Sequence, residues 1–260
     1  MPAGIGQIIG GIESSGSANM KIEGSVALVT GANRGLGKAY VEALRAAGAV
    51  KIYAGARQPS DVVDSQTIPI RLDVTSQADV ELAAQRCQDV NILINNAGVM
   101  LRSPMLAEGS DASMRREMDV NVFGVLAMMR AFAPILAKNG GGAIANMLSV
   151  VSWFTSPFNA TYCASKHAAL AVTDAARIQL RGRGTHVVAV YAGFIDTDMA
   201  SELAPGQPKT SPRQVADRTL EGIANGIDLV RADARSEGLW NLAAHSSMGA
   251  DRPCAYAAVY

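Results

Sequence analysis

Short apolar runs that alternate with helical stretches constrain this chain more than any other feature. Val26–Thr30 (VALVT), Lys51–Ala54, Ile68–Leu72, Val90–Asn95 (VNILIN), Ala143–Ser149 (AIANMLS) and His186–Tyr191 (HVVAVY) read as strands. They are apolar on successive residues, as strands covered on both faces must be. Residues 36–47, 80–87, about 111–138 and 161–181 carry helical patterns between them. Strand, helix and strand in sequence, joined by right-handed crossovers, give an α/β fold: one doubly wound parallel sheet of about seven strands, with helices on both faces. Residues 212–226 read as a further helix and Leu229–Val230 as a last short strand, while the tail after about 231 has no clear pattern. Residues 1–19, rich in Gly and Ser and without periodicity, read as a flexible extension. Residues 20–260 are then expected to form a single domain, near the upper size for one core.

The first strand runs into Thr30-Gly31-Ala32-Asn33-Arg34-Gly35-Leu36-Gly37, which opens the first helix. Gly31 permits a tight turn. Gly35 and Gly37 remove side chains where backbone must approach a pyrophosphate at a helix N-terminus. The whole turn, including Asn33 and Leu36, is therefore a candidate dinucleotide cradle. A ribose 2′-hydroxyl is usually held by a carboxylate near the end of the second strand. Here that stretch is Tyr53-Ala54-Gly55-Ala56-Arg57, with an arginine and no carboxylate. Arg57, joined by Arg34 in the turn, suits a 2′-phosphate, so NADP(H) is the expected cofactor.

Ser149 stands at the end of the fifth strand. Tyr162 and Lys166 follow at i, i+4, on one face of the next helix. A lysine beside a phenol should lower the phenol's pKa and let it exchange a proton with a carbonyl or alcohol. Ser149 can bond the same substrate oxygen. Trp153, Phe154 and Phe158 lie between these groups and are candidates for either pocket lining or loop packing. Cys163, His167 and His186 carry no expected role.

Composition excludes other classes. Lys plus Arg (23) equals Asp plus Glu (23), so no basic field exists to hold nucleic acid. The three cysteines, Cys87, Cys163 and Cys254, have no metal-ligand spacing, which excludes a structural metal and fits a reducing cytoplasm. No uninterrupted apolar run reaches the ~18 residues that span a bilayer.

From about Met20 to about Val230 the chain resembles the classical short-chain dehydrogenases/reductases. The resemblance rests on TGANRGLG, LDVT at Leu72–Thr75, NNAG at Asn95–Gly98, Asn121 in NVFG, Ser149, and YCASK at Tyr162–Lys166. It implies a seven-stranded Rossmann-type sheet and a catalytic tetrad of Asn121, Ser149, Tyr162 and Lys166. It implies that Lys166 also binds the nicotinamide ribose and that Asn121 holds a water in a proton relay. Asp73 and Val74 would meet the adenine. Asn95, Ala97 and Gly98 would line the cofactor, and Gly193, Ile195 and Thr197 would meet the nicotinamide.

Two departures stand out. Ala192-Gly193 replaces the family's usual Pro-Gly after the sixth strand, and the tail lacks its glycine-rich closing strand. The expected activity is hydride transfer between NADP(H) and a small carbonyl or alcohol, by a cytoplasmic homodimer or homotetramer paired through the helices at about 111–138 and 161–181. A nucleotide-binding regulatory protein without turnover is the rival; the intact tetrad disfavours it.

Overall fold

The computed structural model describes residues 20–59, 67–201 and 207–246; the 1–19 extension, Asp61, Asp64 and Cys254 lie outside them. The elements are β1 (Val26–Thr30), α1 (Gly35–Ala46), β2 (Lys51–Ala56), β3 (Thr67–Arg71), α2 (Gln77–Arg86), β4 (Ile92–Asn95) and α3 (Ser110–Met118). A π-helical turn, Asp119–Gly124, follows. Then come α4 (Val125–Lys138), β5 (Gly142–Met147), α5 (Ala160–Leu180), β6 (Thr185–Tyr191), α6 (Pro212–Ala224), β7 (Leu229–Arg231) and α7 (Ala234–Ser246).

The seven strands lie in the order β3-β2-β1-β4-β5-β6-β7. Every neighbouring pair is parallel. The chain builds outward from β1 to β3, then returns to place β4 on β1's other side. The crevice beyond the strand ends at that reversal is where such sheets bind ligands.

Strand side chains alternate between two apolar layers. Val29, Ile52, Ile92 and Ile94 pack with Tyr40 and Leu44 of α1 and Leu220 and Ile223 of α6. Leu28, Tyr53, Leu93 and Ile144 pack on the other face with Val80 of α2 and Phe132 and Leu136 of α4. Each fully buried side chain of this size stabilises the fold by about 1.5–3 kcal/mol.

Three features differ from the sequence expectation. The helix at about 111–138 is continuous from Ser110 to Lys138 but widens into the π turn around Asn121. By length and composition this run is apolar enough to cross a membrane, yet 56% of its most apolar window is buried here. Met128, Phe132 and Leu136 are fully enclosed, so it is a core helix. The tail without a pattern forms α7, whose amphipathic signal is weak. His186, which has no sequence neighbour to pair with, meets Asp228 at 3.1 Å across the sheet.

Candidate active site

The glycine turn is shaped for close backbone approach. Gly31 and Gly35 sit at φ +65° and +52°. A Cβ on Gly37 would stand 1.9 Å from the Gly31 carbonyl oxygen, so only glycine fits. Ala32 N–H donates to the Gly55 carbonyl (3.0 Å), pinning the turn to β2. Thr30 Oγ1 accepts from Asn96 N (3.0 Å) and Ala97 N (2.9 Å), while Asn96 Nδ2 donates to the Thr30 carbonyl (2.9 Å). Thr30 and Asn96 thus lock the turn to the end of β4. Arg34 occupies the position before α1, and no side chain caps the helix's first N–H groups. An uncapped N-terminus under a glycine turn is a cradle for phosphate, and these residues fit a dinucleotide.

The predicted cofactor residues are brought together unevenly. Gly31, Asn33, Leu36 and Gly37 lie in the turn. Gly35 stands against Thr197, whose Cγ2 would be 3.2 Å from an added Cβ. Ala97 abuts Gly31, and Gly98 faces Asn121 and Lys166. Asp73 Oδ1 accepts from Thr75 N (2.9 Å) and Oγ1 (2.7 Å). Burial works against its ionisation, but those bonds and the Arg116 and Arg57 charges outweigh it and hold the carboxyl below its ordinary range. Val74 is buried against Gly124 of the π turn.

Two residues sit otherwise than expected. Asn95 is 2% exposed, and its Nδ2 donates to Asn146 Oδ1 (2.8 Å) inside the sheet, so its side chain is spent on the core. Arg34 pairs with Asp198 at 3.1 Å instead of lying open, although both side chains are exposed. Such a pair is worth at most about 1 kcal/mol and yields easily to a phosphate.

The reacting groups converge at the ends of β4 and β5. Leu148 N and Val150 N extend the ladder past β5 by donating to the Val190 and Ala192 carbonyls. This carries Ser149 two residues beyond the strand, where it caps a short 3-10 turn. Tyr162 and Lys166 lie in the first turns of α5, both buried. Ser149 stands close enough to the Tyr162 phenol to favour its ionised form. Lys166 Nζ donates to the Met147 carbonyl (2.8 Å) and sits over the tyrosine ring, 5.6 Å from its centroid.

The expected lowering of the phenol's pKa does not occur. Burial pushes Tyr162 well above the ordinary phenol range; neighbouring Cys163 and Glu117 add to this, and the nearby Ser149 opposes it. Lys166 lies over the ring and is committed to Met147, and burial pulls its own ammonium down to about 8.

Asn121 lies 1% exposed in the π turn. Its Oδ1 accepts from Val99 N (2.9 Å); its Nδ2 donates to the Val99 carbonyl (2.9 Å) and Ser165 Oγ (3.0 Å). One helical turn earlier, Glu117 Oε1 accepts from Leu101 N (2.7 Å). The two side chains clamp alternate residues of the segment after β4 and turn Met100 toward Tyr162 and Phe154. Glu117 has no exposure at all. Sequence reasoning missed it, although a charge at i−4 from Asn121 marks the same helix face.

Of the aromatic residues before Tyr162, Phe154 packs beside it, Phe158 is 64% exposed, and Trp153 stacks on Tyr191 with centroids 4.1 Å apart. Gly193, after β6, donates its N–H to Asp233 Oδ2 (2.7 Å). Ile195 bridges to Thr210, which leads into α6. Cys163 and His167 serve packing and local bonding: Cys163 Sγ accepts from Ser156 N, and His167 Nδ1 meets the Cys163 carbonyl.

A doubly wound sheet with a glycine-turn cradle at its reversal, and a Ser–Tyr–Lys group facing that cradle, defines a dinucleotide-dependent redox enzyme scaffold. The short chain dehydrogenase profile matches residues 25–208, and the chain belongs to that oxidoreductase family. A 3-oxoacyl-(acyl-carrier-protein) reductase of Escherichia coli strain K12 is 31% identical over 226 residues, covering 82% of this chain and 92% of that one. A short chain dehydrogenase from Burkholderia cenocepacia J2315, solved in complex with NADP, is 41% identical. It superposes with a TM-score of 0.84 over 88% of this chain and 96% of its own. A 3-ketoacyl-(acyl-carrier-protein) reductase from Brucella melitensis, complexed with NADH, is 26% identical with a TM-score of 0.72 over 81% and 95%.

Proposed function

We propose that this protein is an NADP(H)-dependent reductase of a small ketone or aldehyde, reversible toward the alcohol. The observation that carries the reading is the buried Tyr162 phenol, with Lys166 over its ring and Ser149 capping the turn after β5, at the strand ends beside the glycine cradle. Bound along the cradle, the nicotinamide would supply the hydride. A substrate carbonyl oxygen takes Ser149 Oγ–H and Tyr162 O–H as donors, and Tyr162 gives its proton as that oxygen becomes an alcohol. Lys166 would hold the nicotinamide ribose and help return to Tyr162 the proton it has given up. The Asn121 side chain is filled by Val99 and Ser165. The test is NADPH oxidation across a panel of carbonyl compounds, beside a cofactor titration. Turnover supports the reading; binding without turnover supports the regulatory rival.

The cofactor preference rests on Arg57, exposed just past β2, in a stretch Tyr53–Arg57 without a carboxylate. Arg57→Ala should cut kcat/KM for NADPH about tenfold or more while sparing NADH, since a charge-assisted phosphate bond is worth about 1.5–3 kcal/mol. Arg57→Asp should move the preference toward NADH. Equal use of both cofactors by the wild type would refute the assignment.

The same reading includes a cytoplasmic homo-oligomer. Phe123 in the π turn and Ile178 on α5 are 56% and 76% exposed, on the helical run and helix expected to pair. Light scattering at roughly micromolar concentration should give a dimer or tetramer, and Phe123→Glu with Ile178→Glu should give a monomer. A monomeric wild type contradicts this.

A further inference from the structure

Asp233 lies between β7 and α7, is 6% exposed, and belongs to none of the motifs above. Its two carboxylate oxygens do different work. Oδ1 accepts from Ser236 N (2.7 Å), and Ser236 Oγ accepts from Asp233 N (3.2 Å), a reciprocal cap on the first turn of α7. Oδ2 faces the other way and accepts from Gly193 N (2.7 Å) and Thr210 Oγ1 (3.1 Å).

Those two partners are the ends of one loop. Gly193 follows Ala192, where the family's usual proline is missing. Thr210 is where the chain returns: its N–H donates to the Phe194 carbonyl (2.8 Å), and its carbonyl accepts from Asp196 N (2.9 Å). Between them lie Ile195, which bridges to Thr210, and Thr197, which stands against Gly35 of the glycine turn. Arg235, two residues after Asp233, covers the Phe194 ring at 4.5 Å, and a Cβ on Gly193 would meet its side chain at 2.6 Å. Further along α7, Leu239 joins Tyr162, Val150 and Val151 in one apolar cluster. Trp240 packs on Trp153 with centroids 5.1 Å apart, and Trp153 in turn stacks on Tyr191.

We propose that Asp233 is a positioning residue that takes over the work of the missing proline, fixing Gly193–Thr197 against the cofactor cradle and making α7 a wall of the substrate site. A proline restrains this turn by limiting its own φ. Here a buried carboxylate restrains it by holding the N–H of the next residue, and the same carboxylate anchors the helix that carries Leu239 to Tyr162. The restraint and the wall are one device, so the nonstandard tail and the nonstandard turn explain each other. The proposal rests on the reductase reading for what the site binds.

Three variants separate positioning from mere stability. Asp233→Asn keeps the volume and a good helix cap, but turns an amide donor toward Gly193 N or Ser236 N. Ser236→Ala weakens the cap and leaves the Gly193 tie intact. Ala192→Pro restores the restraint by the family's own route. NADPH affinity is read by titrating cofactor fluorescence. The α7 contact is read from tryptophan emission, since Trp153 and Trp240 are the only tryptophans in the chain.

The expected result for Asp233→Asn is a rise in NADPH Kd and substrate KM of about tenfold or more, the fold-change of one charge-assisted hydrogen bond. Its tryptophan emission should shift, and adding Ala192→Pro should recover most of the NADPH affinity. Ser236→Ala should lower Tm while leaving Kd near wild type. Wild-type Kd, KM and emission in Asp233→Asn would overturn the proposal, as would parallel changes in Asp233→Asn and Ser236→Ala. Absence of wild-type turnover with every carbonyl tested would sink the reductase reading instead, because the titration and emission arms run without turnover.

Discussion

Tyr162→Phe should lose turnover by about 10²-fold or more while binding NADPH almost as the wild type does. The substitution deletes one oxygen from a ring whose remaining atoms pack against Cys163, Val150, Val151 and Leu239. That oxygen is the group that would give its proton to the substrate. The phenol is buried, and the substitution removes a proton donor without adding a charge. The fold should tolerate the change, because Phe fills the same space and Ser149 remains bound to Val151 N. A variant that keeps more than roughly a tenth of wild-type kcat would remove Tyr162 from the mechanism.

Lys166→Met should abolish turnover and yet leave the protein as stable at pH 7 as the wild type, or more so. Burial pulls the ammonium from 10.5 down to about 8, a cost on the order of 3 kcal/mol. The sign follows from proton counts. Between about pH 8 and 10.5 the unfolded chain holds this proton more tightly than the folded chain. Folding is therefore penalised fully below about 8, and the penalty disappears as pH rises through 10.5. Methionine carries no charge to bury, although it gives up the bond to the Met147 carbonyl, worth about 1 kcal/mol. Denaturant midpoints measured from pH 7 to 10 should show the variant's advantage shrinking as pH rises. A variant with wild-type kcat/KM, or one several degrees less stable at pH 7, contradicts the assignment. With the expected result, Lys166 is one of the places where the protein gives up stability for function.

The sheet was readable because most of its strands are apolar on both faces and most are followed by helices of ordinary length. The cradle was readable because Gly31, Gly35 and Gly37 are needed for backbone reasons that act over a few residues. What escaped was set by distant contacts. Arg34 finds Asp198, and His186 finds Asp228, across stretches no spacing rule covers. Asn95 sits in a motif beside the cradle, but strand alternation turns its side chain to Asn146. The phenol's pKa was read from Lys166 alone, whereas burial, which the sequence does not display, dominates it. Helix α7 escaped because its first turns are held by Asp233 and Ser236 and by contacts to Trp153 and Phe194, while its own apolar periodicity is faint.

The most direct measurement follows the hydride. NADPH deuterated at nicotinamide C4, on one face and then the other, is incubated with the protein and the best carbonyl substrate from the panel, and the product is analysed by mass spectrometry and NMR. Deuterium on the carbinol carbon, from one face only, is the expected result, and Tyr162→Phe should give about a hundredth of that product or less in the same time. Product without deuterium from either face, or no product from a wild type that binds NADPH tightly, would contradict hydride transfer at this site.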